Sequence, residues 1–261
     1  MIPTHRLLLP DGAALAYEDV GGGRPLLLIH GFTGTARAHL GALMDSLQTH
    51  YRLIAPDLRG YGASQPPARS FPLDFYRRDA DDMAILLRHV DCGPVAALGF
   101  SDGAEIAILL AALYPELVRG VVAWGVSGVI SPEMVTAVQS RVPVPAKPNW
   151  SAWHRQIAAL HGEAQVEPMI RGWNEAAAAI LAQGGNVCLD EAAHVRCPTL
   201  LLNGDGEVGN TLRDVTRLLN HLPDGRLEII SHSGHPIHND QPDLFLQKVT
   251  DFLTHIDTAE R

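Results

Sequence analysis

The pentapeptide Gly99-Phe100-Ser101-Asp102-Gly103 constrains the fold of this chain more than any other stretch. It lies between the apolar residues 95–98 and residues 105–113, whose apolar spacing is helical. A serine at a sharp strand-to-helix turn has a strained backbone, so the residues two positions away must lack side chains. An ordinary glycine-rich loop is the alternative, because the bare five-residue pattern is weak. The flanking strand and helix favour a nucleophile elbow, which projects Ser101 above the carboxyl end of its strand.

Strands and helices alternate along the chain on both sides of this turn. Apolar strands are predicted at 25–29, 53–55, 95–98, 120–124, 198–202 and 227–230, and helices at 36–47, 73–90, 105–113, 211–221 and 242–255. A Pro-Asp-Gly turn at residues 10–12 predicts an opening β-hairpin at the edge of the sheet. We therefore expect an α/β fold with a mostly parallel central sheet flanked by helices, and an active site at the carboxyl ends of its strands.

Residues 125–196 depart from this alternation. The dipeptide Ser131-Pro132 is typical of a helix start, and residues 162–183 are alanine-rich with helical spacing. We therefore predict a helical cap inserted after the strand that ends near Trp124. The predicted units are an α/β core of residues 1–124 and 197–261 and a helical cap of residues 125–196.

Large apolar side chains are concentrated in the predicted cap. Trp150, Trp153 and Trp173 are the largest, and Met169 lies among them. Each would either pack the cap onto the core or line a pocket, since an insertion at this place lies above Ser101. We expect Trp150, Trp153 and Trp173 to contribute to substrate binding.

The charge of the chain argues against several classes of function. Its 261 residues carry a formal net charge of −9, and Lys147 and Lys248 are its only lysines. We therefore expect neither a nucleic-acid partner nor a membrane partner. Hydrophobic residues make up 46% of the chain, which is enough for a sizeable core, but no apolar stretch reaches the length of a membrane span.

Cysteine usage favours a reducing, cytoplasmic location. Cys92, Cys188 and Cys197 are an odd number without metal-ligand spacing, and the N-terminal residues do not resemble a signal peptide. The glycine-rich loops lack both the lysine of a phosphate-binding loop and a dinucleotide-binding pattern. We predict no metal site and no cofactor, and the sequence leaves the oligomeric state open.

A serine hydroxyl becomes nucleophilic when a base takes its proton and a third group holds that base. His235 is the best candidate base, because it lies on a glycine-flanked loop between the last strand and the last helix. His232 and His238 are its competitors. Glu207 lies just after a predicted strand and is the preferred acid, with Asp205 as the alternative. Serine, acid and histidine then follow in the order expected on a sheet of this kind.

Attack on a carbonyl carbon creates an oxyanion, which needs hydrogen-bond donors already in place. The backbone N–H groups of Phe32 and Asp102 are the candidates for these donors. Glycines near Phe32 allow its loop to approach closely, and Asp102 begins a helix, where the dipole favours negative charge. These two N–H groups form the predicted oxyanion hole.

Together these residues resemble the α/β-hydrolase superfamily, and in particular its valacyclovir hydrolase, or biphenyl-hydrolase-like, branch of serine esterases. The segments that carry the resemblance are 57–67, 71–80, 99–103, 114–115, 124–125, the region around Trp173, and 197–204. The resemblance implies Ser101 as nucleophile and His235 as base, and it puts Glu207 where the family has an aspartate. It also implies that Asp102 contacts the α-amino group of amino-acid esters, whereas the helix dipole alone would equally favour an acidic residue there.

The resemblance implies a serine hydrolase that cleaves small carboxylic esters, with α-amino-acid esters as the most specific substrates. A general short-chain esterase or lactonase, a C–C hydrolase and a perhydrolase are alternatives on the same three residues, since a fold does not fix its chemistry. A ligand-binding receptor with little turnover is an alternative of another class. In the favoured interpretation the partner is a small-molecule ester.

Overall fold

The computed structural model describes residues 5–259, and these form one eight-stranded sheet with helices on both faces. The strands are β1 (His5–Leu8), β2 (Ala14–Gly21), β3 (Arg24–Ile29), β4 (Tyr51–Pro56), β5 (Val95–Phe100), β6 (Val118–Trp124), β7 (Thr199–Gly204) and β8 (Gly225–Ile230). The helices are α1 (Ala36–Leu47), α2 (Phe75–Val90), α3 (Asp102–Leu113), α4 (Pro132–Gln139), α5 (Ala152–His161), α6 (Val166–Ala182), α7 (Leu212–His221), α8 (Ile237–Asp240) and α9 (Pro242–Ala259).

The strands are ordered β1-β2-β4-β3-β5-β6-β7-β8 across the sheet. The β1–β2 and β2–β4 pairs are antiparallel, whereas the other five pairs are parallel. This confirms the predicted mostly parallel sheet with a hairpin at its edge. Because parallel strands end at the same edge, the loops that follow β3, β5, β7 and β8 are brought to one side of the molecule.

Successive side chains of each strand face opposite sides of the sheet. Leu27 and Ile29 belong to a buried cluster that includes residues of α2, α3 and α7, and Leu26 and Leu28 belong to one with residues of α1 and α9. Strands that are covered on both faces have continuous apolar sequences. For this reason the central strands are predictable from sequence.

Three helices, α4, α5 and α6, separate β6 from β7. The hydroxyl of Ser131 caps α4, as its sequence predicts. Residues 162–183 do not form one helix, because α5 ends before Gly162, whose φ is +92°, and α6 begins only at Val166. The sequence does not predict α5, whose capping box at Ser151 follows a proline-rich stretch. The division into core and cap stays a prediction.

The three cysteines of the chain, Cys92, Cys188 and Cys197, are free thiols. Within residues 5–259, no helix combines the length and the apolar character needed to cross a membrane. Over the same range, no three His, Cys, Asp or Glu side chains are grouped in a way that could hold a metal ion.

Candidate active site

Ser101 lies at the turn between β5 and α3 with a φ of 57° and a ψ of −123°. A Cβ atom on Gly99 would collide with the carbonyl oxygen of Gly103, and one on Gly103 would collide with that of Ile29. On the neighbouring loop, a Cβ atom on Gly31 would lie 2.8 Å from the Cβ of Ser101. These close approaches explain why glycines surround the serine, and the tight packing holds its strained backbone in place.

Three side chains from three loops are hydrogen bonded in series. His235 Nε2 lies 3.0 Å from Ser101 Oγ, and His235 Nδ1 lies 2.5 Å from Glu207 Oε2. Ser101 follows β5, Glu207 follows β7 and His235 follows β8, so the parallel sheet brings together residues that are far apart in sequence. When the carboxylate holds a proton on Nδ1, Nε2 is left as the acceptor for the serine hydroxyl proton.

The carboxylate of Glu207 is held on both oxygens. Its Oε1 accepts the N–H groups of Gly209 at 2.8 Å and Asn210 at 3.3 Å, and the side chain is 3% exposed. Burial acts to raise the pKa of Glu207, but the hydrogen bond and charge of His235, with the two N–H groups, bring it down to about 2. Asp205 is exposed and instead accepts a backbone N–H at 3.3 Å. The structure therefore brings Glu207, rather than Asp205, to the histidine.

The two competing histidines occupy other environments. His238 is buried, and its Nδ1 accepts the indole N–H of Trp124 at 2.9 Å. Burial lowers the pKa of His238 to about 4, so this ring is neutral near pH 7. His232 is exposed on the loop after β8. Of the three candidates, His235 is the one hydrogen bonded to the serine.

The backbone N–H groups of Phe32 and Asp102 belong to adjoining loops beside Ser101. In the part of the chain that the structure describes, neither N–H donates a hydrogen bond to another group of the chain. Asp102 is the first residue of α3, where the helix dipole adds a partial positive charge. Two such donors beside a nucleophile are suited to a developing oxyanion. That they form the oxyanion hole stays a prediction.

The loop that carries Phe32 is held by hydrogen bonds on two sides, one toward the sheet and one toward α5. On the core side, His30 Nε2 accepts a backbone N–H from the loop after β4 at 2.9 Å. On the other side, His161 Nε2 donates to the carbonyl of Thr33 at 2.9 Å, and Trp153 Nε1 donates to the Thr33 hydroxyl at 3.2 Å. Thr33 has a positive φ of 63°, which these contacts stabilise. The position of the Phe32 N–H therefore depends on residues from α5.

Asp102 is 5% exposed, and two donors hold its carboxylate. The Tyr76 hydroxyl donates to it at 2.8 Å, and the Trp173 indole N–H donates at 3.1 Å. Burial raises the pKa of Asp102 to about 6, although the Tyr76 hydroxyl, the Arg69 guanidinium and the Trp173 indole favour the ionised form. Among residues 5–259, no lysine or arginine forms a salt bridge with this carboxylate. At neutral pH the residue after Ser101 therefore supplies a buried negative charge.

A second buried carboxylate lies one turn further along α3. Glu105 accepts the N–H groups of Ser127 at 3.3 Å and Gly128 at 3.1 Å, and the thiol of Cys188 donates to it at 2.9 Å. Burial raises the pKa of Glu105 to about 7, even though these three donors favour the carboxylate. Ser127 and Gly128 lie near the start of the predicted cap, and Cys188 lies near its end. Glu105 therefore connects both ends of the cap to the helix that follows Ser101.

A cavity of about 470 Å³ includes Ser101, Asp102 and His235 in its lining. Trp153 and Trp173 also line it. Trp150 is not among its lining residues; its indole N–H donates to a carbonyl five residues back in the chain, at 3.0 Å. That Trp150 contributes to substrate binding therefore stays a prediction.

Sequence analysis does not identify Tyr76, Glu105 or Arg141 as site residues, although all three line this cavity. Tyr76 lies in a predicted helix, where periodicity indicates a buried face but not what that face contacts. Glu105 carries the clearest signal, because a charged residue within an apolar helical run needs a specific partner when it is buried. Arg141 lies outside any predicted element, so nothing in the sequence orients it.

Known proteins match the chain in sequence and in structure. Residues 24–152 match a family model described as alpha/beta hydrolase fold. The chain is 32% identical to the serine hydrolase BPHL of Mus musculus and 29% identical to that of Homo sapiens. Each match spans 254 residues, which is 96% of this chain and 86% of the relative. The crystal structure of E-2-(acetamidomethylene)succinate hydrolase is similar, with a TM-score of 0.77 and 23% identity over 97% of this chain and 100% of that one. The last likeness concerns the fold alone.

Proposed function

This chain belongs to the α/β-hydrolase superfamily and, within it, to the valacyclovir hydrolase (biphenyl-hydrolase-like) branch, and we propose that it is a serine esterase for small carboxylic esters. The observation that carries this proposal is the hydrogen-bonded series of Ser101, His235 and Glu207. The serine hydrolases of mouse and human that it resembles support hydrolase activity for this chain.

In the proposed reaction, Ser101 Oγ attacks the ester carbonyl carbon while His235 Nε2 takes the hydroxyl proton. Glu207 holds the proton on Nδ1 and stabilises the imidazolium, and the N–H groups of Phe32 and Asp102 stabilise the oxyanion. The C–O bond of the ester then breaks, the alcohol leaves with the proton from His235, and the acyl group stays on the serine. Water attacks this acyl-enzyme with His235 as base, which releases the acid and restores the hydroxyl.

Within this function, α-amino-acid esters are the proposed preferred substrates. The ammonium nitrogen of such an ester is bonded to the carbon next to the carbonyl, so a carbonyl at Ser101 brings the ammonium close to Asp102. A buried carboxylate that lacks a cationic partner is stabilised by such a pairing. Tyr76 and Trp173 hold the carboxylate in one orientation, which reduces the entropy lost on binding.

The Asp102→Asn variant tests this preference. Asparagine keeps the size of the side chain and the backbone N–H but removes the charge. The preference for phenylalanine methyl ester over its N-acetylated form, as a ratio of kcat/KM values, is expected to fall about 10- to 100-fold, because a charge-assisted hydrogen bond is lost. Hydrolysis of p-nitrophenyl acetate, which has no ammonium group, is expected to change less than about threefold.

An exposed aspartate provides the matched control for this variant. Asp251 lies on α9, is exposed and does not line the cavity, so Asp251→Asn removes the same charge outside the site and should leave the ratio unchanged. If the wild type prefers the N-acetylated ester, or if Asp102→Asn keeps the preference, Asp102 is a helix-start residue and the enzyme is a general esterase.

The preference for the free amine is also expected to depend on pH. Because burial raises the pKa of Asp102 to about 6, the carboxylate becomes neutral as the pH falls through this value and no longer attracts an ammonium. The kcat/KM ratio of the free-amine ester to the N-acetylated ester, calculated on the ammonium form of the free-amine ester, should fall about tenfold between about pH 7 and about pH 5. A pH effect on the catalytic steps that both esters share slows both substrates alike and cancels in the ratio. An equal fall in Asp102→Asn would show that another group is responsible.

A further inference from the structure

Arg141 continues a stripe of α4 that lines the cavity. Met134, Ala137 and Val138 line it from this helix, and Arg141 follows at the spacing that keeps residues on one helix face. The helix ends at Gln139, but the N–H of Arg141 still donates to the carbonyl of Val138 at 2.9 Å, which extends the turn. Arg141 is exposed to solvent as well as lining the cavity, so it lies at the mouth.

The guanidinium of Arg141 faces an aromatic ring and not a carboxylate. Its Cζ lies 5.2 Å from the ring centre of Trp153, which is within the range of a cation–π contact. Desolvation lowers the pKa of Arg141, and no acid in the described part of the chain acts to raise it. Among residues 5–259, Arg141 is the only lysine or arginine that lines this cavity. The guanidinium of Arg141 therefore places a permanent positive charge beside any molecule that occupies the cavity.

An aromatic wall runs from this cation to the buried carboxylate beside the serine. The ring centre of Trp153 lies 6.4 Å from that of Phe32, and the Phe32 ring stacks on Trp173 at 5.2 Å. Trp173 in turn donates its indole N–H to Asp102. The cavity therefore has a negative end at Asp102 and a positive end at Arg141, separated by apolar surface.

Building on the proposed esterase function, we propose that Arg141 is a specificity-determining residue that binds a carboxylate group of the substrate. The preferred substrate is then a dipolar ester, with an ammonium beside the scissile carbonyl and a carboxylate at the far end. A guanidinium suits a carboxylate because its planar N–H groups can donate two parallel hydrogen bonds. The carboxylate belongs either to the side chain of the acyl group or to the leaving alcohol.

Two pairs of esters distinguish a carboxylate on the acyl group from one on the alcohol. Their binding is measured in the Ser101→Ala variant, so that the esters are not hydrolysed. The α-methyl esters of glutamate and glutamine place a carboxylate or a neutral amide on the acyl side. The 3-carboxybenzyl and 3-carbamoylbenzyl esters of phenylalanine place the same two groups on the alcohol. By calorimetry, the carboxylate member of one pair is expected to bind about tenfold more tightly than its amide partner. In the double variant Ser101→Ala/Arg141→Gln, this difference in affinity should disappear.

Arg171→Gln in the same background is the matched control. Arg171 is exposed on α6, where it pairs with Glu167, and it does not line the cavity. This variant should keep the full carboxylate preference. If no carboxylate ester binds more tightly than its amide, or if the preference survives Arg141→Gln, the role of Arg141 is overturned. Turnover of the four esters by the wild-type chain reports separately on the esterase proposal, whatever the binding result.

Discussion

The Ser101→Ala variant is expected to reduce kcat/KM for ester hydrolysis by about 10⁴-fold or more. Alanine keeps the Cβ atom at the strained φ of 57°. It also keeps the backbone N–H of residue 101, which donates to the carbonyl of Trp124 at 2.9 Å in the wild type. The substitution therefore removes the oxygen that lies 3.0 Å from His235 Nε2 and little else. Initial rates on p-nitrophenyl acetate and phenylalanine methyl ester, with thermal unfolding as the folding control, measure this loss.

Covalent labelling shows whether Ser101 is activated even when turnover is slow. An organophosphate should label the wild-type chain at one site, and the label should be absent from Ser101→Ala. A wild-type chain that is folded but neither labelled nor active would favour a ligand-binding receptor on a hydrolase fold. If the alanine variant keeps most of the esterase activity, a different nucleophile is responsible and the proposed mechanism is wrong.

The two site carboxylates differ in pKa because of their neighbours. Glu207 and Asp102 are both buried, and burial acts to raise the pKa of each. Contacts with His235 bring the pKa of Glu207 to about 2, whereas Asp102, with neutral donors and a more distant arginine, stays at about 6. One carboxylate is thus ionised throughout the neutral range and suits a permanent orienting role. The other contacts no lysine or arginine of the described residues, which is why it suits a charged substrate.

The sheet and the elbow are the parts of this molecule that the sequence predicts best. Gly99 and Gly103 are required by contacts with backbone atoms, and such requirements leave a fixed local spacing in the sequence. His235 is also predictable, because its loop position after the last strand is a property of chain order. Local rules and strand order are therefore sufficient to place the serine and the histidine together.

The helices between β6 and β7 and the cavity lining depend on contacts that no local pattern records. Tyr76 and Trp173 both meet Asp102, yet they come from α2 and α6, which are not neighbours in the sequence, and each looks like an ordinary core residue in its own helix. Trp150 shows the converse, since its bulk suggests a pocket residue while its indole N–H donates to the carbonyl of Pro145. Arg141 is oriented by a turn beyond a short helix, which apolar spacing does not predict.

Glu207→Gln is expected to lower kcat by about 10³- to 10⁴-fold, whereas Asp205→Asn should change it less than about threefold. The N–H groups of Gly209 and Asn210 require an oxygen at the position of Oε1, so the amide oxygen of glutamine occupies it and the NH₂ group faces His235. An NH₂ group donates and does not accept. His235 must then accept on Nδ1 and carry its proton on Nε2, the wrong nitrogen to take a proton from the serine.

The paired substitutions distinguish the two acids because they remove the same charge two residues apart. Asp205 is exposed and accepts a loop N–H, so its asparagine variant keeps that contact through the side-chain oxygen. Steady-state kcat for both variants, with thermal unfolding as the folding control, is the measurement. A large loss in Asp205→Asn together with near-normal activity in Glu207→Gln would identify Asp205 as the acid. Equal small losses would mean that His235 is oriented without a carboxylate, and the 2.5 Å contact with Glu207 would then have no catalytic role.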